Sequence, residues 1–407
     1  MSGAPTTQTE SSAMMRSILQ RIATGPELSK DISREEARAG MRLILEGRVD
    51  PVQAGIFLIA LRMTRETDDE NLGVFDAIRD LTATVTAPVD EVMDIADPYD
   101  GYNRSLPSSP FLPALLAACG LPAVSHGVES VGPKYGVTHR QVLRAAGAPV
   151  DLTPTQAAAR LADPKIGWAY VDQRAFCPQL HGLIGLRSLI VKRPAITTVE
   201  TLAGPIRGRR KTHVMTGYVH KPYSRIYAML ARAAGFDSAL IVRGVEGGVI
   251  PSLRQAGKVF YYYDQGEEQA LDLNPTELGI EQTVRAVPLP GSAEGDEAEQ
   301  NLDTVAATKD ATEAAAELGL AALAGTSGAT RDGLVYAAAL CLWQVRRHDT
   351  LTQAAAAVRQ VAAAGANGRG QHLGGPKTRE QGIEGLAAMV AQGLLGPELP
   401  GGDLDDG

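Results

Sequence analysis

At Val92-Met93-Asp94-Ile95-Ala96-Asp97-Pro98-Tyr99-Asp100-Gly101-Tyr102-Asn103-Arg104 the chain changes texture. Residues 92–96 have the length and apolar character of a buried strand. They run into a turn rich in Asp, Pro and Gly, the residues that punctuate β structure. Downstream, short apolar runs at 122–125, 168–171, 213–216 and 239–243 are further strand candidates, and helical patterns lie between them at 111–119, 139–146, 155–161 and 223–234. Strands alternating with helices predict an α/β domain, a central sheet covered by helices on both faces. Asn274-Pro275-Thr276-Glu277 predicts a later short helix with a capping box, and alanine-rich helices follow at 306–320, 333–346 and 351–363.

Upstream the pattern is helical. Ser33-Arg34-Glu35-Glu36 and Thr67-Asp68-Asp69-Glu70 have capping-box spacing, and Asp50-Pro51 places an N-cap before a proline at N1. The joins Gly47-Arg48-Val49 and Thr64-Arg65-Glu66 are short, so neighbouring helices are expected to pack together. The expected layout is an extension over 1–30 with an amphipathic helix at 14–22, then a small helical domain over 31–91, completed by helices near 176–195. The α/β domain covers 92–390 and a disordered acidic tail 391–407. The glycine-rich stretch 365–375 lacks the phosphate-loop pattern and reads as linker.

Bulk properties narrow the function classes. With 407 residues, 44% hydrophobic and 21% charged, the chain can bury a large core. No stretch approaches 18 uninterrupted apolar residues, and the polar start lacks a secretion-signal pattern. Cys119, Cys177 and Cys341 have no metal-ligand spacing and read as buried small hydrophobes. The cytoplasm is the expected compartment. A net charge of −8 argues against general nucleic-acid binding. Yet residues 183–225 carry nine bases (Arg187, Lys192, Arg193, Arg207, Arg209, Arg210, Lys211, Lys221 and Arg225) and one acid, Glu200. That stretch is either a local anion-binding surface or a solvated face with a basic loop.

Several segments, taken in order, resemble anthranilate phosphoribosyltransferase and its relatives, the family 3 glycosyltransferase fold. They are Ala54-Gly55-Ile56-Phe57-Leu58-Ile59-Ala60-Leu61-Arg62-Met63, Ala118-Cys119-Gly120-Leu121-Pro122-Ala123-Val124-Ser125-His126-Gly127, the stretch 131–136, Arg144-Ala145-Ala146-Gly147, Phe176-Cys177-Pro178, and Gly235-Phe236-Asp237-Ser238-Ala239-Leu240-Ile241-Val242-Arg243-Gly244. The resemblance covers roughly residues 33–365. It implies a helical domain packed on an α/β domain, with 5-phosphoribosyl 1-diphosphate (PRPP) and magnesium in the cleft between them. It also implies displacement of pyrophosphate from ribose by an acceptor, and a homodimer formed through the N-terminal helices.

Three motifs implied by the resemblance are altered. The GTGGD loop is replaced by Asp97-Pro98-Tyr99-Asp100-Gly101, where proline removes a donor and Tyr99 fills the space that glycine leaves open. In the His-Gly-Asn segment His126 and Gly127 match, but Val128 stands for asparagine; Ser130 and Lys134 match downstream, while Gly132 and Pro133 replace serines. The magnesium-binding Asp-Glu pair falls on Val249 and Ile250, which offer no oxygen to a hard cation. Arg187 falls on the arginine that engages the anthranilate carboxylate, and Arg193 on the next one; Arg187 reads equally as an ordinary helix-surface residue. These losses resemble the YbiB-like paralogues, a branch whose dimers bind nucleic acid.

The resulting expectation is a degenerate PRPP and magnesium site that keeps an anion-binding cleft at Ser130, Lys134, His126, Gly127, Arg187 and Arg193. The catalytic residues are unassigned, no metal site is expected, and magnesium enters only if PRPP is used. The expected ligand is a phosphorylated or carboxylated small molecule, or nucleic acid held by Lys192, Arg207, Arg209, Arg210 and Lys211. Tyr102, Tyr218 and Tyr223 are candidates for base stacking, or for packing. The alternative is a PRPP-dependent glycosyltransferase with an unidentified acceptor.

Overall fold

The computed structural model describes residues 8–25, 27–291 and 305–367. The expected acidic tail, and all of the glycine-rich stretch beyond residue 367, lie outside the described residues.

Four helices come first: α1 (Gln8–Ile22), α2 (Arg34–Leu45), α3 (Pro51–Thr64) and α4 (Asp68–Asp80). Their starts follow the sequence signals. Ser33 and Thr67 each form a reciprocal capping box with the glutamate three residues on, and Asp50 accepts from Val52 N–H ahead of Pro51. Each cap satisfies amides that the first turn leaves open. Neighbouring helices pack as expected, with Phe57 of α3 against Gly40 of α2, and α2 also crosses α4 closely, across the gap left by Gly73, where a Cβ would meet Arg34 O at 2.3 Å.

The strands are β1 (Val85–Thr86), β2 (Glu91–Ala96), β3 (Ala123–Gly127), β4 (Trp168–Asp172), β5 (Ile206–Arg207), β6 (Lys211–Gly217), β7 (Ser238–Val242), β8 (Gly257–Tyr262) and β9 (Gln269–Leu273). Seven of them form one sheet in the order β4-β3-β2-β6-β7-β8-β9, parallel through β7 and antiparallel across β8 and β9. Strands β1 and β5 form a separate parallel pair. All five expected strands are present, and the β8–β9 hairpin and the short pair are additional. The turn at Asn274 also differs: its side chain accepts from Thr276 N–H and opens a 3₁₀ turn, Pro275–Leu278, in place of a capping-boxed helix.

Alternation along the strands divides the core. Met93, Ile95, Met215, Leu240 and Val242 point to one face, where the C-terminal helices Val305–Leu323, Ala329–Gln344 and Leu351–Asn367 pack. Val92, Ala96, Val124, Val214, Ala239 and Ile241 point to the other and share a core with α1–α4. The helical layer therefore rests on one face of the sheet. The helix Ile184–Ile190 returns to it and packs on α3, with Leu186 and Ile190 against Gly55. Among the described residues no helix is long and apolar enough to cross a membrane.

Candidate functional site

A cleft of about 250 Å³ opens beyond the C-terminal ends of β2 and β6, between the sheet and the helical layer. Ligands of open α/β sheets gather at such a place because the strand order reverses there and loops diverge. Here β3 lies on one side of β2 and β6 on the other. The walls are Ala96 at the end of β2 with Pro98, Tyr99 and Asp100 after it, Thr216 to His220 at and after the end of β6, Tyr223 and Tyr227, Glu246 and Gly247, Arg62 of α3, and Arg193, Thr197, Thr198 and Thr201.

The loop after β2 is fixed by its own polar network. Asp97, fully buried, accepts from Tyr102 Oη at 2.8 Å, Ser109 Oγ at 2.7 Å and Val249 N–H at 2.9 Å, with His139 Nε2 at 2.8 Å. Burial pushes its carboxyl up, but the His139 charge and the hydrogen bonds outweigh this and hold it below its ordinary value. Beside it, Tyr99 Oη lies 2.5 Å from His126 Nδ1, and His126 Nε2 lies 2.8 Å from Asp94 Oδ1. Burial, then the nearby Glu200 and Asp94 charges, raise the Tyr99 hydroxyl well above its usual range. Tyr99 therefore remains a neutral phenol. Its ring packs with Val128 and Val131, filling the space that the sequence assigned to it.

The expected anion-binding side chains do not present free cations. Arg187 is buried, and its guanidinium makes two bonds to Glu200, 2.8 Å to Oε2 and 2.7 Å to Oε1. This corrects the reading of Arg187 as a helix-surface residue: it is buried, with its guanidinium paired to Glu200. Arg193 donates twice to Asp100 Oδ2, at 3.1 and 2.9 Å. Lys134 Nζ donates to the carbonyls of Gly101 and Glu246, at 2.9 and 3.1 Å, with the Asp100 and Glu246 carboxylates at 3.6 and 3.8 Å. His126 and Gly127 are buried in β3, and Ser130 lies half buried in the segment that follows. The structure brings Lys134, Arg193, Asp100 and Glu246 to one end of the cleft, and puts Arg187 behind its wall.

Glu246, which the sequence places close to Val249 and Ile250 as one carboxylate at a shifted position, holds the loop after β2. Its carboxylate accepts from Asn103 N–H at 3.1 Å, Arg104 N–H at 3.0 Å and Ser105 Oγ at 2.8 Å. Its backbone sits at φ 55, ψ 15, a left-handed conformation that is costly for a residue with a Cβ. Val249, at one of the two positions matched to metal carboxylates, is fully buried in the apolar core and Ile250 packs against it. Among the described residues no group of three or more His, Cys, Asp or Glu side chains is placed to hold a metal ion.

The proposed nucleic-acid footprint is split. Lys192 and Arg193 stand near the cleft, whereas Arg207 ends β5 and Arg209, Arg210 and Lys211 lie just before and at the start of β6. The cleft lies at the other end of β6, whose seven residues span about 20 Å at the usual rise. Arg207 is drawn inward, stacked 4.3 Å above the Phe236 ring, and burial lowers its guanidinium pKa. Lys211 pairs with Asp264 at 3.1 Å; Arg209 and Arg210 are exposed. Of the three tyrosines offered for stacking, Tyr102 and Tyr218 are buried and Tyr223 hydrogen-bonds Arg62.

The family model for the glycosyl transferase family helical bundle domain matches residues 3–82, and that for its a/b domain matches residues 100–367. The chain belongs to the glycosyl transferase family. Within it the chain is an anthranilate phosphoribosyltransferase-like protein. It is 26% identical over 361 residues to anthranilate phosphoribosyltransferase of Bradyrhizobium diazoefficiens, 88% of this chain and 97% of that one. An uncharacterized protein of Aquifex aeolicus is 29% identical over 222 residues, 54% of this chain and 65% of that one. Anthranilate phosphoribosyltransferase from Saccharomyces cerevisiae, solved in complex with PRPP and Mg, superposes with a TM-score of 0.65 at 15% identity, covering 93% of this chain and 98% of the other. That last likeness is one of fold.

Proposed function

We propose that this glycosyl transferase family member does not carry out magnesium-dependent PRPP chemistry and keeps its interdomain cleft for an uncharged or weakly charged small molecule. The observation that carries this is the apolar pair Val249 and Ile250 where the resemblance places the metal carboxylates, with Val249 N–H already bonded to Asp97. Moving carboxylates into that position would require rebuilding a closed piece of core. The cleft lining supports the same reading. Arg62 is engaged with Tyr223 Oη, Thr198 Oγ1 and Glu66, and Arg193 with Asp100. Four tyrosines and four threonines make up much of the rest, and Thr201 Oγ1 is buried with no protein partner. Such a lining suits a ring with a hydrogen-bonding edge better than a polyphosphate.

Calorimetric titration with PRPP, with and without magnesium, tests this proposal. No saturable binding is expected in either case. Tight magnesium-dependent binding would instead favour the alternative, a PRPP-dependent transferase with another acceptor. That alternative draws on the relatives and on the family's cleft being kept. Nucleic-acid binding has the exposed Lys192, Arg209 and Arg210 in its favour, and a salt series with single-stranded DNA tests it.

The assembly belongs to the same proposal: a homodimer through the helical layer. Helix α3 exposes Val52, Ile56 and Met63 on one face with Ile59 between them, the i, i+4, i+7, i+11 spacing of a single stripe. Leu189 and Val191, at the end of the helix packed on α3, are also exposed. An apolar patch of this extent on a polar chain marks an interaction surface.

A further inference from the structure

We infer that Glu246 is a built-in oxyanion: its carboxylate occupies an anion site formed by the loop after β2, and this occupation closes the cleft to phosphate ligands. The site is assembled from the amides of Asn103 and Arg104, the Ser105 hydroxyl and the ammonium of Lys134. Three of these donate directly to the Glu246 carboxylate, at 3.1, 3.0 and 2.8 Å. Lys134 Nζ stands 3.8 Å from Oε2 and donates to the carbonyl of the same residue.

Successive backbone amides, a hydroxyl and a cation converging on one point form the donor set that a phosphate oxygen seeks. The occupant is held against local backbone preference. Glu246 adopts φ 55, and its three carboxylate bonds are what compensate for that conformation. The side chain is only 8% exposed, so the pairing is not a loose surface contact. An external anion would have to break three hydrogen bonds and leave a displaced carboxylate beside Asp100, 3.6 Å from the same lysine. A tethered competitor also acts at an effective concentration of millimolar order or above, which no free metabolite matches easily. The arrangement is repeated elsewhere around the cleft, where Glu200 takes Arg187 and Asp100 takes Arg193.

The inference rests on the reading that the cleft does not take magnesium PRPP, and predicts a gain of binding. The full chain is titrated with inorganic pyrophosphate, without metal, as wild type, Glu246→Ala, Glu246→Gln, and Glu246→Ala combined with Lys134→Ala. Wild type is expected to show no saturation in the low millimolar range. Glu246→Ala is expected to bind at least tenfold more tightly, and the double variant to lose that gain. Glu246→Gln keeps the shape but turns an amide N–H₂ toward the loop donors; it is expected to show a smaller gain, and it serves as the test if the alanine variant fails to fold by circular dichroism. Equal affinity in wild type and both single variants overturns the inference, as does a gain that survives loss of Lys134. Magnesium-dependent PRPP binding by wild type would overturn the underlying reading instead. An inert wild type with inert, folded variants overturns only the role of Glu246.

Discussion

Around this cleft, carboxylates pair with the protein's own cations. Arg187, Arg193 and Lys134 stand out in the sequence as anion binders, but sequence position does not say who their neighbours are. Glu200 could have served as a signal: it is the one acid among nine bases between 183 and 225, and it is the group that Arg187 holds. Such a buried pair must remain intact, because losing either partner strands a desolvated charge. His213 shows the opposite case, a titratable group with no partner. It is fully buried in β6, neither ring nitrogen is hydrogen-bonded, and burial lowers its pKa below the ordinary 6.5. Glu91, Asp237, Lys211 and Arg347 surround it, and the opposed charges leave desolvation in control. The unfolded chain therefore accepts a proton near pH 6.5 that the folded chain refuses. Stability is complete above that pH and falls as pH drops from 6.5 toward the depressed folded value. Denaturant midpoints at pH 7 and pH 5 should differ more for wild type than for His213→Leu. Equal pH dependence in the two would show that His213 is not the group responsible; His181, also lowered by burial, contributes loss of the same sign in both proteins.

At the scale of elements, local chemistry sets boundaries well and says little about partners. The caps at Ser33, Asp50 and Thr67 act through backbone amides within a few residues, so their spacing is sufficient to place α2, α3 and α4. Which helix then packs on which depends on small residues meeting in space. Gly73 lets α4 approach α2 so closely that a Cβ would lie 2.3 Å from Arg34 O, 2.6 Å from Ala37 Cβ and 2.9 Å from Arg38 N. Backbone atoms cannot rotate away from such a contact. Gly73→Ala should push the helices apart and cost about 1–3 kcal/mol or more, despite the better helix propensity of alanine. Chemical unfolding checks this: an unchanged or raised midpoint would mean that the crossing is looser than the geometry shows. The β8–β9 hairpin was illegible for a related reason. Gly257–Tyr262 is pleated and aromatic, but its exposed residues and the polar loop after it hide the alternation expected of a core strand. The strands buried on both faces, β2, β3, β4, β6 and β7, were legible as apolar runs because both sides of the sheet are covered. The candidate site was half legible. That Val249 and Ile250 are apolar and packed in the core could be read from their residue types, whereas the contact of Glu246 with the loop after β2 spans more than 140 residues.

For the whole molecule, the helical layer serves two surfaces at once. Its inner side shares a core with the sheet and supplies Arg62 to the cleft, so it cannot move freely without disturbing the site. Its outer side carries the α3 stripe and the end of the helix packed on it. Met63 is 77% exposed and Leu189 80%, values at which a large apolar side chain gains nothing from the monomer's fold. These two residues are therefore suitable probes of assembly, since charging them leaves the monomer core untouched. Met63→Glu combined with Leu189→Glu should convert a dimer to a monomer in sedimentation velocity at micromolar concentration, with an unchanged circular dichroism spectrum. A wild-type chain that sediments as a monomer would refute the dimer outright. A variant that remains dimeric would place the interface on another face. The expected result would also bear on the cleft: Arg62 and Met63 are adjacent in α3, and Arg193 follows Val191 by two residues. Pairing two helical layers would then hold the cation-bearing wall of each cleft against a partner, and the ion pairs that close it would be fixed by assembly as well as by the fold.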